Sequence, residues 1–122
     1  MKILIVDDNT LFREMVREEL HSRRPSLMIN EAKDQKDALA MIRTSLPDLV
    51  LMDIRLPDGS GLELTRQIKE LYPNLNVVIL TSYDQDEYRE AAFRYKADHY
   101  VSKDNFMALL IRILPETFEE RF

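Results

Sequence analysis

Five residues with chemically useful side chains stand at the ends of short apolar runs. Asp7 and Asp8 follow Ile3-Leu-Ile-Val6, Asp53 follows Leu49-Val-Leu-Met52, Thr81 follows Val77-Val-Ile-Leu80, and Lys103 closes the run around His99–Val101. A carboxylate in such a place adds nothing to a core, because its charge must stay hydrated or paired. Three carboxylates crowded together repel, and keeping all of them ionised in a partly dry site is costly. A hard divalent cation removes that cost: Mg²⁺ takes oxygen ligands, keeps several waters, and typically binds one or two carboxylates together with phosphate oxygens. Lys103 adds an ammonium able to meet a phosphoryl oxygen, and Thr81 adds a hydroxyl donor for another. Phosphoryl transfer asks mainly for positioning and for neutralisation of charge on the moving group. With Asp53 as the nucleophile the product is an aspartyl phosphate.

For these groups to meet, the elements between them must return each run to the same edge. The four-residue apolar runs, bounded by turn signals, read as strands buried on both faces. Asn9 or Thr10 caps a first helix with Leu11, Phe12, Met15, Val16 and Leu20 turned inward, ended by Pro25. Leu27 to Glu31 reads as an edge strand, and Asp34 caps a second helix with Ala38, Leu39, Ile42 and Leu46 inward. Pro47 forces the chain out of helix before the central strand. A loop with Pro57, Gly59 and Gly61 leads into a third helix over 62–71, with Leu64, Ile68 and Leu71 on one side. Asp84 or Asp86 starts a fourth helix carrying Tyr88, Ala91, Ala92 and Tyr95, and a last helix spans 105–114, up to Pro115. Five strands alternating with five helices at this spacing predict one α/β domain over 1–122, a parallel sheet with helices on both faces and right-handed crossovers. In such sheets, sites form outside the carboxyl ends of the strands. Four strands deliver Asp7, Asp8, Asp53, Thr81 and Lys103 to that edge.

Composition narrows the function classes. At 122 residues the chain is long enough for a core without disulfides, and it has no cysteine. The two glycines, Gly59 and Gly61, cannot build the Gly-rich phosphate loop of nucleotide-binding folds. A net charge of -5 argues against direct contact with nucleic acid. The apolar start stops at Asp7-Asp8, unlike a signal peptide, and no stretch approaches a membrane span, so a cytoplasmic location is expected. Met15, Met28, Met41 and Met52 read as core fill, His21 as solvated and His99 as exposed. In the last helix, Phe106, Met107, Leu109, Leu110, Ile111, Ile113 and Leu114 leave almost no polar face, which points to a partner surface for a second copy or an output domain.

Jointly, Asp7-Asp8, Met52-Asp53 with Pro57 and Gly61, Thr81, Tyr100 and Lys103 resemble the response-regulator receiver domains of two-component signalling, over essentially the whole chain. The resemblance implies a flavodoxin-like sheet with strand order 2-1-3-4-5. It implies Asp53 as phosphoacceptor from a histidine kinase, Asp8 as a direct Mg²⁺ ligand, Asp7 as a ligand through water, and Arg55 as a ligand through its backbone carbonyl. Lys103 would pair with the phosphoryl group, Thr81 would move toward it, and Tyr100 would turn inward behind Thr81 as a switch. The change would reach the face of the last helix, where Phe106, Leu110, Ile111 and Leu114 could form a phosphorylation-dependent homodimer. Such a domain is a signalling module that catalyses only its own phosphorylation and dephosphorylation. A phosphatase with the same intermediate would want an acid–base carboxylate soon after its nucleophile, and position 55 is Arg. The wording Asp8-Asn9-Thr10-Leu11-Phe12-Arg13-Glu14 resembles the subgroup often fused to a helix-turn-helix DNA-binding domain, with an output such as transcription; no such domain lies within these residues. Two positions depart from the pattern. Lys96 stands where the family often has Gly, which predicts a reshaped helix end, and Asp104 stands where Pro often follows the lysine.

Overall fold

The structure, a computed structural model, describes residues 1–82 and 85–108. Its sheet contains β1 (Lys2–Val6), β2 (Met28–Ala32), β3 (Leu49–Met52), β4 (Asn76–Thr81) and β5 (His99–Ser102). The strands run parallel in the order β2-β1-β3-β4-β5, as the resemblance implies. Alternation along the strands feeds two cores. Ile3, Ile5, Leu49, Leu51, Val78, Leu80 and Val101 meet Val16, Leu20 and Phe106 on one face. Leu4, Val6, Val50, Met52, Val77, Ile79 and Tyr100 meet Ala38, Ile42, Leu64, Ile68 and Ala92 on the other. Strands covered on both sides read as unbroken apolar runs for this reason.

Helix α1 (Thr10–Arg23) lies on the first face, and α2 (Gln35–Thr44), α3 (Gly61–Leu71) and α4 (Asp86–Arg94) lie on the second. Asn9 caps α1 by accepting the Phe12 N–H at 3.1 Å, and Asp34 caps α2 by accepting the Asp37 N–H at 2.8 Å. Helix α4 begins at Asp86, with Gln85 at the cap position and no side-chain cap bond; Asp84 lies outside the described residues. A 3₁₀ turn, Lys103–Asn105, follows β5 and residues 106–108 are helical; the remainder of the expected 105–114 helix lies outside the described residues. Among the described residues, no helix is long and apolar enough to cross a membrane.

Several expectations are corrected. In α1 the inward stripe is Phe12, half-buried, with Val16 and Leu20, buried, spaced by four, while the neighbouring stripe of Leu11 (77% exposed) and Met15 faces outward. A helix lying on a sheet covers only about 100° of its circumference, less than the sequence pattern spans. Met28 and Met41 are likewise exposed, since Met28 opens the edge strand and Met41 lies off the Ala38–Ile42 stripe; Met52 alone of the four is core. Leu46, just beyond the end of α2, and Leu71, the last residue of α3, are exposed as well and flank a shallow cleft of about 370 Å³ at the amino ends of β3 and β4. His21 is half-buried, with Nε2 3.0 Å from the Leu27 carbonyl oxygen, and His99 is half-buried too.

The end of α4 is not reshaped. Lys96 takes φ 71°, the left-handed conformation itself. The Ala97 N–H donates to the Ala92 carbonyl at 2.9 Å and the Lys96 N–H to the Phe93 carbonyl at 3.0 Å, the paired bonds of a Schellman cap. A lysine here costs roughly 1 kcal/mol that a glycine would not. Also unanticipated is a short antiparallel ladder between Arg55–Leu56 and Gly59–Ser60, just after the central strand. The carboxylate of Asp58 in its turn accepts the N–H groups of Gln35 and Lys36 at 2.8 and 3.1 Å, tying this loop to the start of α2.

Candidate functional site

Register delivers the carboxylates. Val6 pairs with Met52 across β1 and β3, so the next residues, Asp7 and Asp53, emerge side by side, and the Asp53 N–H donates to the Val6 carbonyl at 2.9 Å. Asp7 is buried and held at all of its polar groups. Its N–H donates to the Ala32 carbonyl at 3.0 Å, and its carbonyl accepts Arg13 Nη1 at 2.6 Å. Its Oδ1 accepts the Asn9 N–H at 2.8 Å, and its Oδ2 faces Lys103 Nζ at 2.6 Å. Asp53 is buried as well, with Oδ1 accepting the Ile54 N–H at 2.9 Å and Oδ2 3.5 Å from Lys103 Nζ. Asp8 is exposed, yet oxygens of Asp7, Asp8 and Asp53 all lie within 4.8 Å of one another. Gly61 closes the floor: a Cβ there would overlap the Asp53 carbonyl oxygen, so the Asp53 loop and the start of α3 can pack this closely only around glycine.

The electrostatics are those of a site short of positive charge. Burial, and then the charge of Asp7, push the Asp53 carboxyl from its ordinary 3.8 up to about 6, although Lys103 and the Ile54 N–H pull the other way. The Lys103 ammonium meets two of the three carboxyl groups, Asp7 and Asp53. A donor set made only of carboxylate oxygens, with a deficit of positive charge, suits a hard, oxygen-seeking cation such as Mg²⁺.

The other expected residues fall around this cluster. Thr81 is fully buried at the end of β4, in register with Ser102. Arg55 is exposed, two residues beyond Asp53 at the start of the short ladder. Tyr100 is already buried on the α4 side, with the Arg89 guanidinium 4.7 Å from its ring centre. Phe106 is buried on the opposite face, edge-on to Phe12 with ring centres 5.4 Å apart. Leu110, Ile111 and Leu114 lie outside the described residues.

Three neighbours of the site escape a reading of the sequence. The Phe12 ring lies 4.3 Å from Lys103 Nζ, a cation–π contact beneath the ammonium. Its spacing with Val16 and Leu20 marks it as core, and nothing in chain order links it to residue 103. Asn9 is legible as a helix cap but not as the donor to Asp7, and Arg13 looks like an ordinary helix arginine. An arginine one turn into the helix after paired aspartates is the signal that could have found it.

Residues 3–114 match the sequence model of the family described as "Response regulator receiver domain". The chain is 36% identical over 104 residues to the DNA-binding transcriptional activator DevR/DosR of Mycobacterium tuberculosis, covering 85% of this chain and 48% of that protein. It is 32% identical over 118 residues to the response regulator protein VraR of Staphylococcus saprophyticus, covering 97% of this chain and 56% of that one. The chain therefore spans about half the length of the curated relatives it matches. In three dimensions it superimposes on a CheY-like response regulator receiver domain protein from Methanospirillum hungatei JF-1 with a TM-score of 0.84, at 28% identity, covering 98% of this chain and 97% of that one. The sequence match, the strand order and the acidic edge agree, and this chain belongs to the response regulator receiver domains, a signalling family of two-component systems.

Proposed function

We propose that the chain is the phosphorylatable switch of a response regulator, with Asp53 accepting a phosphoryl group from a histidine kinase in a Mg²⁺-dependent step. The observation that carries this reading is the meeting of Asp7, Asp8 and Asp53 oxygens within 4.8 Å, with Lys103 Nζ against two of the three. Asp7, Asp8, Asp53 and the Arg55 backbone carbonyl would hold Mg²⁺, which supplies neutralisation of charge on the transferring group. An Asp53 carboxylate oxygen forms the new bond to phosphorus as the bond to the donor's imidazole nitrogen breaks, and the donor ring keeps those electrons. Lys103 leaves Asp7 for a phosphoryl oxygen, and the Thr81 hydroxyl donates to another. Tyr100, whose ring is already buried on the α4 side, repacks as Thr81 moves, and the change reaches the face of the last helix, Phe106 with Leu110, Ile111 and Leu114, where a second copy docks. Residues 1–122 act as one receiver unit in the cytoplasm. The likeness to DevR/DosR and VraR supports a transcriptional output carried outside these residues.

The test is intact mass after incubation with acetyl phosphate and Mg²⁺. One added phosphoryl group is expected, absent without metal and absent in Asp53→Ala. No adduct, together with no binding of beryllofluoride and Mg²⁺, overturns the reading.

A further inference from the structure

Arg13 stands outside the acidic cluster but touches its backbone. The residue sits one turn into α1, and its side chain is mostly buried. Its Nη1 donates to the Asp7 carbonyl at 2.6 Å and its Nε to Glu31 Oε1 at 2.9 Å, so one planar group bridges α1, the end of β1 and the edge strand β2. The Asp7 carbonyl belongs to the peptide joining Asp7 to Asp8. A rotation of that peptide would swing the Asp8 Cα–Cβ bond and with it the Asp8 carboxylate. The carbonyl points at Arg13 while the Asp7 carboxylate is held separately by Asn9 and Lys103. Arg17 provides a natural comparison. It donates through Nε to the other oxygen of the same Glu31, at 2.9 Å, but its Nη2 reaches the Ile29 carbonyl at 2.7 Å and not the site.

We propose that Arg13 is a positioning residue of the acidic site: clamped by Glu31, its guanidinium fixes the Asp7–Asp8 peptide and so sets the two carboxylates against each other for a divalent cation. This role rests on the metal-binding reading given above. Only a guanidinium serves, because the two acceptors need two donors at a fixed angle and a lysine ammonium is a single point charge. The sign of the effect separates positioning from simple electrostatics. Arg13 carries positive charge beside a cation site, so through its charge alone its removal would tighten Mg²⁺ binding. Through positioning its removal loosens binding, and loss of groups that orient metal ligands typically costs 10–100-fold in affinity.

The experiment is calorimetric titration of the 122-residue chain with Mg²⁺, well below the melting temperature of each variant. Arg13→Ala is expected to weaken binding about tenfold, at the low end of that range. Arg17→Ala, which removes an equal charge and an equal bond to Glu31, is expected to stay within about twofold of the parent chain. Arg13→Lys, less disruptive to folding, is expected to weaken binding as well, because it restores the charge but not the fork. Unchanged or tighter binding in both Arg13 variants, or equal losses in Arg13→Ala and Arg17→Ala, overturns the positioning role. A parent chain that takes up no Mg²⁺ overturns the metal-site reading itself, and this role with it.

Discussion

Two lysine–carboxylate contacts sit at opposite edges of the sheet, and they differ in how their charges are matched. At the amino edge, Lys69 of α3 donates to Asp98 Oδ2 at 3.0 Å and to the Leu75 carbonyl at 2.8 Å, and the same Asp98 oxygen accepts the Val77 N–H at 2.8 Å. One cation meets one anion, backbone groups complete both, and α3 is stapled to the starts of β4 and β5. At the carboxyl edge one ammonium, Lys103, is divided between Asp7 and Asp53 with Asp8 alongside. The first arrangement is complete as it stands and serves the fold. The second is left with a surplus of negative charge, which a hard divalent cation would offset. Proximity of opposite charges thus does not distinguish scaffold from site; stoichiometry does.

The sharpest way to break this contrast is to remove the surplus. With a folded-state carboxyl near 6 against an ordinary 3.8, Asp53 binds protons more tightly in the native state than in the unfolded chain. Without metal, stability should therefore fall as pH rises from about 4 to about 6, and the favourable contribution of this group is gone above that window. Asp53→Asn in EDTA at pH 7.5 is expected to raise stability by about 2–3 kcal/mol, read from urea unfolding. Saturating Mg²⁺ should stabilise the parent chain and not the variant. An Asn variant no more stable than the parent would mean that the two edges do not differ in the way described.

Breaking the balanced pair should have the opposite sign and a smaller size. Lys69→Met removes the ammonium from Asp98 and from the Leu75 carbonyl, and a loss of about 2 kcal/mol is expected in the same assay, because Asp98 keeps the Val77 N–H and partial access to water. The Mg²⁺ response should not change. A variant that loses Mg²⁺ stabilisation would show the two edges to be coupled.

The smallest expected effect lies in the turn that leads the chain into Asp98. Lys96→Gly relieves the left-handed strain but frees the unfolded chain, for a net gain of about 0.5 kcal/mol. A loss on this substitution would mean that the Lys96 side chain does something the backbone conformation does not express.

The sequence by itself determined the class of sheet, the edge at which the acidic cluster gathers, and the three carboxylates and the lysine that meet there. Unbroken apolar runs can exist only where both faces are covered, and each run here ends on a residue that cannot be buried unpaired, so Asp7, Asp8, Asp53 and Lys103 declare both their strands and their common edge. The cap at Asp34 was legible for the same local reason, a side-chain oxygen placed to accept the first free N–H groups, and the first cap was legible to within the pair Asn9 and Thr10, of which the structure uses Asn9. Tertiary structure decided what depends on neighbours distant in the chain. Which stripe of α1 faced the sheet was settled by packing, so Leu11 and Met15 turned outward although their spacing fits a helix face. Phe12 came under Lys103, and Arg13 came onto the Asp7 carbonyl, only because α1 folds back across the end of β1. Lys96 kept the left-handed turn that its side chain disfavours, since the Schellman bonds and the entry into β5 outweigh a local preference of roughly 1 kcal/mol. Local rules place a residue on its element, and only the meeting of elements sets which charges share a partner.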